Sequence, residues 1–224
     1  MKDAMKKLSL PACGLAVAGA LATGLALAAA PTNPYALTFK TPSVAAGAKL
    51  AATCASCHGA TGVSKNSSVP SLAAQQVPYL RDQMVNFRAK MRPSAVMQPI
   101  AAGLSDQNIV DLAAYFNAQK PGPAWKADAA ARKRGQVLFT AGDPKRNVIA
   151  CAMCHGADGR GLASRGIASV TNLPPAYAYA VLKEFHDAPS FGGVVTAETM
   201  RVAVKPLTNA DLKDLAAYMS SMKP

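Results

Sequence analysis

The chain has 224 residues, 50% of them hydrophobic and 16% charged, and its 24 Lys and Arg against 12 Asp and Glu give a net charge of +12. That length holds one large or two small domains, and the composition is ordinary for a globular protein. The cations are dispersed and form no basic run interleaved with aromatics, which excludes nucleic acid as a partner and favours acidic protein surfaces.

At the amino terminus, Lys2, Lys6 and Lys7 precede an apolar Ala/Leu/Gly run from Leu8 that ends in Ala28-Ala29-Ala30 before Pro31. A basic region, an apolar stretch and a small-residue end are the pattern of a cleaved secretory signal peptide, predicted over residues 1–30. The weak hydrophobicity of the run and its cleavage-like end argue against an uncleaved membrane anchor. Leu10-Pro11-Ala12-Cys13 has too little apolar sequence before it to be a lipoprotein box. Cleavage removes three Lys and one Asp, leaving 21 basic and 11 acidic residues, a net +10. It also removes Cys13, so four of the five Cys remain.

Pro31 to Thr41 reads as an extended lead-in. Small residues from Ser43 to Ala52 predict a helix, in which Gly47 either permits close approach of another helix or is a weak point. This helix runs into Cys54-Ala55-Ser56-Cys57-His58, and the same pattern recurs as Cys151-Ala152-Met153-Cys154-His155. Two cysteines two residues apart with a histidine directly after form the attachment signature of a c-type haem. The thiols add to the vinyl groups on one porphyrin edge, and the adjoining histidine reaches the iron from the same side. A zinc site would need four ligands converging on one metal, and a thioredoxin-like pair would need alternating strands and helices; neither fits. Cys54, Cys57, Cys151 and Cys154 are therefore the predicted covalent anchors of two haem c groups, with His58 and His155 as proximal iron ligands.

Gly59 to Ser68 is a predicted loop ending at Val69-Pro70-Ser71-Leu72. Tyr79, Leu80, Met84 and Phe87 fall at helical spacing, so an amphipathic helix is expected over Pro78 to Lys90. Met91 to Gly103 reads as irregular. Ser105 is a predicted N-cap for a helix with Ile109, Leu112, Ala113 and Phe116 on its apolar face. Lys120-Pro121-Gly122-Pro123 cannot continue it and marks the best domain boundary.

The second half repeats the first. Tyr177, Leu182 and Phe185 match Tyr79, Met84 and Phe87 at one offset, and Leu215-Ala216-Ala217-Tyr218 matches Leu112-Ala113-Ala114-Tyr115. Gly135 stands where Gly47 stood, but sixteen residues separate it from Cys151 against seven from Gly47 to Cys54, an insertion of nine around Ala141 to Val148. Around Thr171-Asn172-Leu173 the expected proline is missing, and three residues are counted as lost before Tyr177. The chain is thus an internal duplication, each half binding one haem.

The sixth iron ligand decides the chemistry, because a methionine cap favours electron passage over binding of oxygen or peroxide. Met97 lies seven residues before Leu104 and eighteen before Tyr115, and Met200 stands identically to Leu207 and Tyr218. Each precedes a capped helix, at Ser105 and Thr208, so Met97 and Met200 are the predicted distal ligands. Met84 and Met91 are the runners-up, although Met84 has Leu182 as its counterpart. His186 matches Arg88 and is expected at a solvent-side position.

The paired haem motifs, Val69-Pro70-Ser71-Leu72-Ala73-Ala74-Gln75 with Tyr79-Leu80-Arg81-Asp82-Gln83, and Met97 followed by Leu104-Ser105-Asp106 resemble the dihaem cytochrome c4 family over nearly the whole mature chain. The resemblance implies an all-α fold of two tandem class I cytochrome c domains, 31–120 and 126–224 joined by a linker at 121–125. It implies haems facing each other across the domain interface and electron carriage from a cytochrome bc complex to a terminal oxidase, in the periplasm. It also implies that the Pro70 carbonyl receives the ring N–H of His58. Pro174 is the candidate for that role in the second half, where the segment around Gln75 has no counterpart and the distal wall is altered. The expected partners are redox proteins with acidic docking surfaces, a dehydrogenase being the alternative to the bc complex and oxidase, and peripheral membrane association stays open. No enzyme activity is expected, since a dihaem peroxidase would need an open sixth site.

Overall fold

The computed structural model describes residues 33–192 and 194–224, so the predicted signal peptide lies outside the described residues. Ten α-helices and short 3-10 turns make up the described chain. The described residues contain no strand, only isolated antiparallel bridges at Asp143–Val148 and Leu162–Ile167.

Helix α1, Val44–Ala51, begins where Ser43 Oγ accepts the Ala46 N–H at 3.2 Å, so a short polar side chain satisfies one of the unpaired first-turn amides. It leads through a 3-10 turn, Ala52–Cys54, into the four-residue α2, Ala55–His58. Helix α3, Val77–Arg88, takes Pro78 in its first turn, where a missing N–H costs nothing. The segment read as irregular holds a further helix, α4, Met97–Ala102. Its six residues are too few for periodicity to register, and Pro99 reads as a breaker although a first-turn proline is tolerated. Helix α5, Asp106–Asn117, opens on a capping box in which Ser105 and Asn108 exchange side-chain and backbone bonds. Ile109, Leu112, Ala113 and Phe116 are all buried, as the periodicity requires.

The second half runs α6, Ala129–Ala141; α7, Ala152–His155; α8, Pro175–Asp187; α9, Val195–Val204; and α10, Asn209–Ser221. Thr208 and Asp211 form the second capping box.

In each half the helix leading to the cysteines crosses the last helix, α1 on α5 and α6 on α10. Both crossings depend on a glycine. A Cβ on Gly47 would lie 2.1 Å from the Asp111 carbonyl oxygen, and one on Gly135 would lie 2.0 Å from that of Asp214. Gly47 is therefore a point of close approach, not a weak spot, and the backbones meet where only a hydrogen fits.

The apolar cores are separate. One joins Ala51, Leu80, Leu112, Ala113 and Phe116; the other is centred on Phe139, Leu182, Leu212 and Leu215. Between the halves the Gln75 side chain takes both backbone groups of Ser169, its Nε2–H donating to the carbonyl at 2.9 Å and its Oε1 accepting the N–H at 2.8 Å. Gln76 Nε2 donates to the Arg160 carbonyl at 2.7 Å, and the Tyr177 N–H to the Ser67 carbonyl at 2.8 Å.

Candidate haem sites

Each attachment motif winds into one helical turn, Cys54 and Cys151 at the N-caps of α2 and α7. At about 100° per residue, the two cysteines and the histidine of a Cys-x-x-Cys-His run project from a single side of that turn. Both thiols and the imidazole can therefore meet one flat ligand. Gly59 and Gly156 follow at φ of 83° and 79°, left-handed values that end the turn and send the chain back past the histidine. Cys54 and Cys151 are half-buried, while Cys57 and Cys154 are exposed. Burial pushes the Cys54 thiol up and carries Cys151 to about 11.

The histidines are buried and equivalent. His58 Nδ1 donates to the Pro70 carbonyl at 2.8 Å, and His155 Nδ1 to the Ala168 carbonyl at 2.9 Å. Burial holds both rings below their ordinary pKa, only partly opposed by those carbonyls. Each imidazole is thus neutral, turned by its backbone partner, and left with Nε2 as its free nitrogen, the form a metal takes. The donor set fits haem c: two thiols and one oriented neutral imidazole per site.

The Ala168 contact corrects the expectation for Pro174, which instead occupies the N-cap position of α8. It also removes the supposed loss of three residues. Leu72 N donates to the Gly62 carbonyl, and Val170 N to the Gly159 carbonyl, so Val170 stands for Leu72 and Ala168 for Pro70. The left-handed residues agree, Ala74 at φ 58° and Asn172 at φ 53°. Tyr79 and Tyr177 continue the same offset of 98. A single extra residue between His155 and Ala168 accounts for the register. The acceptor is a backbone carbonyl, so no side-chain identity signals it; the alignment could have been shown by the Ser-x pairs Ser71-Leu72 and Ser169-Val170 and by carrying the offset of Tyr79 and Tyr177 back towards the haem motif.

Gln75 also takes a place the sequence did not suggest. Its amide clasps Ser169 at the joint between halves, so the absence of a counterpart at Leu173 marks the other side of one clasp. Arg92 joins this region, its guanidinium 5.0 Å over the Phe87 ring, donating to Gln83 Oε1 at 2.6 Å and towards the Tyr177 hydroxyl at 3.4 Å.

Among the methionines, Met200 lies within α9 and packs, half-buried, against the same core as Cys151. Met97 opens α4, where its N–H donates to Ser94 Oγ at 3.0 Å; it is half-buried but outside the core that Cys54 joins. Met84 and Met91 are half-buried on and just beyond α3. His186 is half-buried on α8, its Nδ1 2.7 Å from Asp187 Oδ1, and no site cysteine lies beside it in sequence.

Among the described residues no helix is long and apolar enough to cross a membrane. Residues 42–116 match the family described as "Cytochrome C oxidase, cbb3-type, subunit III", and residues 132–223 match "Cytochrome c". The chain is 32% identical over 178 residues to a cytochrome c4 of Pseudomonas aeruginosa, spanning 80% of this chain and 88% of that one. It is 30% identical over 182 residues to a thiosulfate dehydrogenase electron acceptor of Thiomonas intermedia, 80% of this chain and 82% of that one. The crystal structure of reduced recombinant cytochrome c4 from Pseudomonas stutzeri superposes with a TM-score of 0.76 at 30% identity, covering 81% of this chain and 100% of that one. With two Cys-x-x-Cys-His turns, two helical domains and this likeness, the chain belongs to the dihaem cytochrome c4 family and is an electron carrier with two haem c groups.

Proposed function

We propose that the chain carries electrons in the periplasm from a cytochrome bc complex to a terminal oxidase, through two low-spin haems of His/Met ligation. The observation that supports this most directly is the pair of buried imidazoles, each pinned through Nδ1 by a backbone carbonyl with Nε2 free. Cys54 and Cys57 hold one haem and Cys151 and Cys154 the other; His58 with Met97, and His155 with Met200, are the axial pairs. When bound, each haem supplies a one-electron ferric/ferrous couple. The chain's own residues orient the ligands, exclude water and set the charge around each site. The mature protein comprises domains 31–120 and 126–224 about the 121–125 connection, after removal of residues 1–30.

A second reading is the electron-accepting subunit of a periplasmic dehydrogenase. The likeness to a thiosulfate dehydrogenase electron acceptor over most of both chains favours it.

A spectroscopic redox titration of the purified holoprotein tests the shared part of both readings. Two one-electron steps are expected, with a methionine-to-iron charge-transfer band in the oxidised form. Met200→Ala should abolish that band for one haem and Met97→Ala for the other. Ready binding of carbon monoxide by the reduced protein at neutral pH, or rapid turnover of peroxide, would overturn the carrier reading.

A further inference from the structure

The two attachment turns share their backbone and differ in what they show to solvent. In the second, Met153 sits between the cysteines at 78% exposed, and Ile149, two residues before Cys151, is 50% exposed. At the matching positions of the first turn stand Ser56 and Ala52. Beside one haem-bearing edge there is thus an apolar pair, and beside the other a hydroxyl and a methyl.

The insertion that runs up to Ile149 is built rigidly. Asp143 and Val148 close it with an antiparallel bridge. Arg146 ties its tip to Asp143 at 2.6 Å and to Asp211 of α10 at 2.7 Å. A Cβ on Gly142 would lie 2.3 Å from the Val148 carbonyl oxygen, so the base of the loop is closed as well. Val148, 4% exposed, enters the core, and the next residue, Ile149, is thereby turned outward. Lys145, exposed at the tip, belongs to none of the ion pairs formed among the described residues, whereas its neighbour Arg146 is committed twice. An apolar pair flanking the attachment cysteines, with Lys145 exposed at the tip of the adjoining loop on a chain of net charge +12, fits a transient docking face. The exposed valines and isoleucine near the distal methionines, Val96 and Ile100 in one half and Val195 and Val202 in the other, occur in both halves and do not distinguish them.

We propose that Ile149, Met153 and Lys145 form the docking face of the second half, and that its occupant is a redox protein presenting an apolar patch bordered by carboxylates. The inference rests on the electron-carrier reading and adds which half meets the partner. In the transfer, one electron leaves the partner's reduced centre and one ferric haem becomes ferrous, with no bond made or broken.

The test uses the holoprotein with two reductants: flavodoxin hydroquinone, an acidic protein with an exposed flavin edge, and reduced lumiflavin, which needs no docking. An Ile149→Ala/Met153→Ser double variant should be reduced by flavodoxin about ten-fold more slowly, the effect of losing roughly one buried apolar side chain. Its rate with lumiflavin should not change. Lys145→Glu should slow the flavodoxin reaction and flatten its salt dependence, while Ser56→Ala should leave it unaltered. Equal flavodoxin rates in the double variant and the parent, or an equal loss in Ser56→Ala, would overturn the docking face while leaving the carrier reading intact. Failure of the parent to accept electrons from either reductant would overturn the carrier reading itself.

Discussion

The two halves keep one helix crossing and hold it by different means. In the first, the buried carboxylate of Asp111 on α5 accepts the Ser43 N–H at 2.7 Å and Gln107 Nε2–H at 2.9 Å. In the second, the matching Asp214 receives Arg134 from α6 through two bonds, at 2.7 and 2.8 Å. The glycine at each crossing is the same; the polar tie around it is not. A duplicated fold therefore fixes the contact that leaves no room, while any donor that reaches the carboxylate will serve.

That contrast is tested most severely at the glycines. Gly47→Ala and Gly135→Ala each gain about 1 kcal/mol of helix propensity. Each also forces a methyl into a backbone carbonyl, 2.1 and 2.0 Å away. The net loss is expected at about 3 kcal/mol in either half, read by chemical denaturation of the holoprotein. A large loss in one half alone would show that the crossings are not equivalent.

A smaller effect belongs to the joint. Gln75→Ala leaves both backbone groups of Ser169 without their partner, a cost of about 1–3 kcal/mol confined to the contact between halves. Faster exchange of the Ser169 amide is expected, with slower electron exchange between haems and each haem spectrum unchanged. A shifted haem spectrum would instead place Gln75 in a haem wall.

Much of this was legible in the sequence because it rests on side-chain pattern. The cysteines, histidines, caps at Ser105 and Thr208, and the apolar faces of α3, α5, α8 and α10 all carry residue-specific signals. What was missed rests on backbone. The Ala168 carbonyl has no signature, and without it the segment around Thr171-Asn172-Leu173 was set against the wrong residues of the first half and appeared three residues short. Helix α4 is only six residues long, and the partner of Gln75 is the backbone of Ser169 in the other half, 94 positions away.

The backbone comparison yields a third prediction. Ala74 and Asn172 occupy matching left-handed positions, and only asparagine suits that conformation; its Nδ2 also donates to the Gly122 carbonyl at 2.8 Å. Ala74→Gly should stabilise the first half by about 0.5–1 kcal/mol, whereas Asn172→Ala should destabilise the second by about 1 kcal/mol or more. Thermal unfolding of the two variants reads opposite signs if the register drawn from Ala168 is correct, and the same sign if it is not.

The smallest expected effect is on acid stability. Each half ties a preceding segment to the first turn of its last helix. Asp106 accepts the Thr38 N–H and pairs with Arg88, each at 2.8 Å; in the other half Asp211 pairs with Arg146 of the insertion. The Thr38 N–H first, and then Arg88, hold Asp106 below its usual 3.8. Burial pushes Asp211 up, but Arg146 and Thr208 together bring it below the ordinary value. Folded, each carboxylate binds fewer protons than it does unfolded, so its contribution is complete above about pH 4 and drains away as the pH falls through the folded value. The counterpart of Asp106 is the neutral Asn209, so Asp106→Asn removes the acid response of the lead-in alone. The protection of the Thr38 amide against exchange, taken relative to the intrinsic rate at each pH between about pH 5 and pH 2, should fall steeply in the parent and lie flat in that variant, with the protection of Val148 following the parent curve in both. A Thr38 profile unchanged by the substitution would mean that Asp106 does not hold the lead-in, and that the first half is closed by Asp111 and Ser43 alone.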